Sequence, residues 1–153
     1  MTSGQRRGRR IAMTGPELDD FLTGERTCRV ATMSADGPHA TPLWFAWDGT
    51  SLWLHSLSRS QRWTDWERDN RVAVVIDAGQ EYDELRGAEL RGRAVTVGEV
   101  PRTGRPDEGL TAVESLFTSK YFGGGPMLFD GRHAWRRITP EKITSWDFRK
   151  IPQ

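Results

Sequence analysis

The sequence holds one cysteine, Cys28, so no disulfide can form within the chain. Packing alone must hold the fold, as is usual in a reducing compartment, and a cytoplasmic location is expected. Long apolar runs are missing too. No stretch approaches the roughly 18–20 residues that a membrane-spanning helix needs, so no membrane partner is expected. The first residues, MTSGQRRGRRIAM, carry positive charge with no apolar segment behind it, and do not read as a secretory leader. Histidine is scarce, at three residues, and no two of them have the spacing of metal ligands; no metal site is expected.

What the chain does have is 153 residues, a length that suits one domain with a hydrophobic core of useful size. The net charge of +1 hides an asymmetry. Residues 1–10 contain Arg6, Arg7, Arg9 and Arg10 and no acid, which leaves 18 basic against 21 acidic residues in the remainder, a net charge of −3. A mildly acidic body with a short basic arm is not the profile of a dedicated nucleic-acid domain. Seven tryptophans promise a large buried aromatic area and surfaces on which a planar ligand could stack.

Residues 1–13, rich in Gly, Ser and Arg without periodicity, read as a disordered basic arm, and residues 14–153 as the domain. Thr14, Pro16 and Glu17 spell a capped helix start, and Gly24 a stop. Strands are predicted over 27–33, 39–47 and 51–55, the last two joined by an Asp48-Gly49 hairpin. Pro42 lacks an N–H and must lie at a sheet edge or bulge. A polar loop then opens a helix ending near Asp69, with Trp63 and Trp66 on one face. Residues 72–76 (VAVVI) read as a strand buried on both faces. Residues 85–100 form the longest strand candidate, bent at Gly87, Gly92 and Gly98. A helix over 107–121 carries Leu110, Val113, Phe117 and Tyr121 on one face, and strands over 133–138 and 142–148 close the chain. Short connections and this order predict a mainly antiparallel β-barrel with peripheral helices.

Two stretches carry chemistry. In His55-Ser56-Leu57-Ser58-Arg59-Ser60-Gln61-Arg62 a strand ends and a helix begins. Free amides at a helix start favour an anion, the serines and Gln61 add neutral donors, and arginine grips phosphate with two parallel bonds. A capped helix with solvated arginines accounts for the same residues equally well. In Thr41-Pro42-Leu43-Trp44, the backbone could bond the rim of a planar ring and Trp44 could pack on it, although aromatic residues are ordinary in strands. Cys28 fits a packed core thiol better than a nucleophile.

The order and spacing of these motifs resemble the flavin and deazaflavin oxidoreductases that share the split β-barrel of pyridoxamine 5′-phosphate oxidase. The resemblance spans residues 14–150. It is carried by Gly37-Pro38-His39, Pro42-Leu43-Trp44, Asp48-Gly49, the loop from Ser58 to Arg62, Arg68-Asp69-Asn70-Arg71-Val72, and the closing stretch Ile138–Phe148. It implies a homodimer with cofactor at the subunit interface and hydride exchange with a small planar organic substrate. Arg62 matches the basic phosphate ligand of the group, with Ser60 and Gln61 beside it. Residues 41–44 match the segment lining the ring, and His55 and Ser56 end the strand leading into the phosphate loop. The second subunit would contribute from its later part, where Lys120, Tyr121, Trp135 and Arg137 are the candidates, and Tyr121 or a histidine could supply a proton. F420 is the expected cofactor, since the Arg- and Gly-rich composition suits the high-GC sources in which F420 users of this group are common; FMN is the alternative. The closing Asp147–Gln153 does not match the arginine-containing end of the pyridoxamine phosphate oxidases, which argues against that particular activity. A non-catalytic flavin binder, or a haem binder using His39, His55 or His133, would fit the same fold.

Overall fold

The computed structural model describes residues 4–152. Helix α1 (Gly15–Gly24) starts as its sequence predicts: the Thr14 hydroxyl accepts the Glu17 amide, and the Glu17 carboxylate accepts the Thr14 amide. Strands β1 (Thr27–Ser34), β2 (Gly37–Trp47) and β3 (Leu52–Leu57) follow, then α2 (Gln61–Arg68), β4 (Arg71–Ala78), β5 (Arg86–Val97), α3 (Thr111–Tyr121), β6 (His133–Ile138) and β7 (Lys142–Asp147). All pairings are antiparallel. The order β4-β1-β2-β3-β6-β5, with β5 returning to β4, closes a six-stranded barrel, and β7 adds an outer strand to β5.

One long strand makes this closure possible. Residues 86–93 of β5 pair with β4, and residues 94–97 turn to pair with β6. Of the glycines foreseen as bends, Gly87 and Gly92 serve close approach. A Cβ on Gly87 would stand 2.6 Å from the Trp146 ring and 2.7 Å from the Ile76 carbonyl oxygen. Gly87→Ala is therefore expected to cost about 2 kcal/mol, within the range of core overpacking. A drop in the urea midpoint with an unchanged slope would register it.

The barrel interior is one continuous core, with Leu22, Cys28, Val30, Phe45, Leu54, Val74, Ile76 and Leu90 fully enclosed. A second cluster lies on the outer face of β2, β3 and β6, where α3 packs Val113 and Phe117 against Ala46, Trp53 and Trp135. Several expectations need correction. Strand β4 alternates fully buried Val72, Val74 and Ile76 with half-buried Ala73 and Val75, so only one of its faces is core. The long strand ends at Val97, because Gly98 turns with φ +81°. Helix α3 begins at Thr111, four residues later than the sequence suggests, after a turn in which the Asp107 carbonyl oxygen accepts the amides of Leu110 and Thr111.

The basic arm is not without structure over residues 4–13. Gln5 bonds both backbone groups of Ser145, Met13 donates its amide to the Ser145 hydroxyl, and Arg9–Ile11 form a helical turn. Residues 1–3 of the expected arm lie outside the described residues.

Candidate functional site

Strand β2 pairs with β1 along residues 37–44 but with β3 only at Phe45, Ala46 and Trp47. One edge of 37–44 therefore has no strand partner, which is where Pro42 can sit without breaking a ladder. Backbone groups of Thr41-Pro42-Leu43-Trp44 border that gap.

Beside it, β3 runs into α2. The Ser60 hydroxyl accepts the Trp63 amide and donates to the Leu57 carbonyl oxygen, fixing the helix start. The first backbone bond of the helix is Thr64 N–H to Ser60 C=O, so the amides of Gln61 and Arg62 precede the helical ladder. Amphipathic pressure sets the direction of Arg62: Trp63 and Trp66 sink into the core, and the arginine turns into the cleft between β2 and β3. There it is only 8% exposed, with Nη1 2.5 Å from the Thr41 hydroxyl and Nε 3.2 Å from the Ser56 hydroxyl. No carboxylate compensates it among the described residues, and burial pushes its pKa below the ordinary guanidinium value. A buried cation surrounded by hydroxyls is costly unless an anion arrives. This donor set fits one phosphate.

The neighbours divide. Ser58 and Arg59, with Leu57, Ser60, Pro101, Gly131 and Arg132, line a groove of about 490 Å³ joined to this seat through Ser60, whose hydroxyl lies 3.5 Å from that of Ser56. The Ser58 amide and hydroxyl are both given to the Arg132 carbonyl oxygen, while Arg59 is exposed. Gln61 turns back along its helix to Asp65. Asp65 is fully buried; burial opposes its ionisation, but bonds from Gln61 and Thr32 and the nearby His39 outweigh that and hold its pKa down.

Trp44 and His55 belong to a second feature, on the outer face. Trp44 is exposed and stacks on Tyr121 at 4.2 Å, and with His55, Leu43, Phe117, Phe122, Met127, Leu128, Asp130 and His133 it lines a pocket of about 240 Å³. His55 stacks on His133 at 4.7 Å and lies tilted by 40° against Trp135 at 4.6 Å. Burial, with the neighbouring His133, depresses the His55 pKa to about 3. A histidine kept neutral by folding favours the unfolded chain once the solution can protonate it. Stability is therefore full above pH 6.5 and falls as pH drops toward 3, by at most roughly 1.4 kcal/mol per unit. His55→Gln is expected to flatten that part of the profile, which urea midpoints at pH 7, 5.5 and 4.5 would register.

The later-chain candidates have structural duties. The Tyr121 hydroxyl accepts the Phe45 amide and lies 2.5 Å from the Arg26 and 3.0 Å from the Phe45 carbonyl oxygens, plugging the end of the β1–β2 ladder. Burial raises its pKa to about 12, so it is a poor proton donor. Lys120 donates to the Leu22 carbonyl oxygen at the end of α1 and lies over the Phe45 ring, and burial brings it down to about 8. Trp135 is wholly enclosed and gives its N–H to Glu114. Arg137 is exposed beside Trp53. Among the histidines, His39 lies by Asp65, while stacked His55 and His133 cannot bracket one iron from opposite faces. The described residues contain no group of three His, Cys, Asp or Glu placed to hold a metal. Cys28 is enclosed and its thiol is pushed up to about 12, which leaves it inert.

Sequence reasoning missed Asp130, which accepts the amides of Arg132 and His133 and holds the His133 ring at 2.7 Å. The turn Asp130-Gly131-Arg132-His133 carried a signal, an aspartate placed to accept the amides two and three residues on.

Comparison with known proteins identifies the fold. Residues 14–147 match the pyridoxamine 5'-phosphate oxidase family. The chain belongs to that family. A conserved hypothetical protein of Mycobacterium tuberculosis, Rv2991, is 32% identical, with 99% of this chain and 95% of that one aligned and a TM-score of 0.77. An F420 reductase (21% identity, 82% and 94% coverage, TM-score 0.63) and an FAD-binding protein of Mesorhizobium loti (18%, 88% and 93%, TM-score 0.66) share the family fold. No curated protein matches the sequence. Among the described residues, no helix is long and apolar enough to cross a membrane.

Proposed function

We propose that this family member is an oxidoreductase that binds F420, with FMN as the alternative, and exchanges hydride with a small planar organic substrate. The observation that carries the reading is Arg62: a buried guanidinium among the Thr41, Ser56 and Ser60 hydroxyls, with no carboxylate partner among the described residues. Arg62, Thr41 and Ser56 hold the phosphate, and the unpaired edge at residues 41–44 offers backbone groups to the ring. The bound group supplies hydride transfer; the protein orients it and excludes water. Arg59 and Arg132 at the groove mouth add positive charge suited to the more anionic tail of F420. Two copies pair across the β2 edge, where Trp44, Leu57 and Leu128 leave apolar surface exposed.

Titrating the cofactor-free protein with F420 and with FMN tests the choice. Tight F420 binding with weak FMN binding is expected; the reverse selects FMN, and binding of neither ends the reading. Sedimentation should give twice the chain mass; a monomer with cofactor bound would refute the pairing.

A further inference from the structure

We propose that the outer-face pocket between β2, β3, β6 and α3 is a seat for an uncharged, planar, two-ring aromatic that carries a hydroxyl, with the hydroxyl proton received by Nε2 of His133. Its role as substrate rests on the oxidoreductase reading; the binding itself does not.

The pocket measures about 240 Å³, below the roughly 300–1,000 Å³ of drug-sized ligand sites, a volume that limits it to about two fused rings. Trp44, Phe117 and Phe122 provide aromatic walls, and Leu43, Met127 and Leu128 complete the apolar lining. Its polar groups are few and specific. Asp130 accepts two backbone amides and lies 2.7 Å from His133 Nδ1. Burial opposes its ionisation, but those bonds outweigh it and hold its pKa down. An ionised Asp130 takes the Nδ1–H, which leaves Nε2 of an uncharged imidazole as the acceptor. His55 stacks beneath it, neutral, with no protein partner on its ring nitrogens among the described residues. No lysine or arginine lines the pocket, and Asp130 repels anions. The ligand chemistry is thus opposite to that of the Arg62 seat: flat, uncharged, and donating one hydrogen bond.

Calorimetric titration of the cofactor-free protein at pH 8 with 2-naphthol and with 2-methylnaphthalene, matched in shape but not in hydrogen bonding, tests the assignment. 2-Naphthol is expected to bind at least tenfold more tightly. His133→Phe and Asp130→Asn should bring that ratio close to one while leaving 2-methylnaphthalene binding within about threefold, whereas Trp44→Ala should weaken both. The proposal is overturned if neither compound binds, if the preference survives in His133→Phe, or if F420 or FMN displaces 2-naphthol competitively, which would make the pocket the seat of the cofactor ring. Naphthol binding in a protein that binds neither cofactor would uphold the seat and remove only the redox role.

Discussion

With methionine in place of Arg62, the cofactor-free protein is expected to melt at the same temperature as the parent or higher, while cofactor binding falls roughly thirtyfold or more. Both halves follow from one placement. The guanidinium is 8% exposed, bonded to two neutral hydroxyls and compensated by no carboxylate among the described residues, so the empty protein carries its desolvation cost. A well-packed apolar side chain of similar length removes that cost. With the anion bound, the same group forms charge-assisted bonds, and truncating one partner of such a buried pair costs about 2–5 kcal/mol. The lower end corresponds to about thirtyfold in affinity. Thermal melts with and without F420 and FMN read both effects. A methionine variant that melts lower yet keeps full affinity would show Arg62 to be a structural residue with no ligand.

Arg102→Ala is expected to be among the most destabilising single changes in the protein, at about 3 kcal/mol, the scale for breaking a buried ion pair. Arg102 is 4% exposed and joins Glu99 at 2.6 Å to Glu114 at 2.9 and 3.0 Å. Glu114 also accepts the Trp135 indole N–H, and the Arg102 amide is given to the His133 carbonyl oxygen. The network therefore clamps the loop after β5 and helix α3 onto β6, and α3 supplies the Phe117 wall of the outer pocket. Denaturant unfolding gives the energy, and loss of near-ultraviolet dichroism from Trp135 the local loosening. Replacing Arg102, Glu99 and Glu114 together with Met, Gln and Gln should recover most of the stability, because no stranded charge remains. An unchanged midpoint in Arg102→Ala would mean that the carboxylates reach water without cost.

The barrel was legible because its strands alternate and its turns use the residues their geometry demands. Thr14 and Glu17 cap α1, Asp48-Gly49 turns the hairpin, and Pro42 marks an unpaired edge. The proposed phosphate seat was legible in part. Serines and arginines between a strand and a helix can be read, but not which arginine turns inward; the depth of Trp63 and Trp66 decides that for Arg62. Lys120 and Tyr121 looked like site residues because charge and hydroxyl are conspicuous in a sequence. Their tasks, ending α1 and plugging the β1–β2 ladder, involve partners 98 and 76 positions away in the chain. The Asp130–His133 pair was passed over because three-residue spacing in a loop has no periodic signature.

The hold of Gln5 on Ser145 bears on how the chain is made. A side-chain amide there stands in for a strand, and Lys150 ties Glu17 and the Ala12 carbonyl oxygen from the other side. Gln5, Ala12 and Met13 thus wait for partners more than 130 positions later in the chain. During synthesis this basic segment can dock only once residues 142–150 are available, so it is drawn onto the barrel after the strands that precede them.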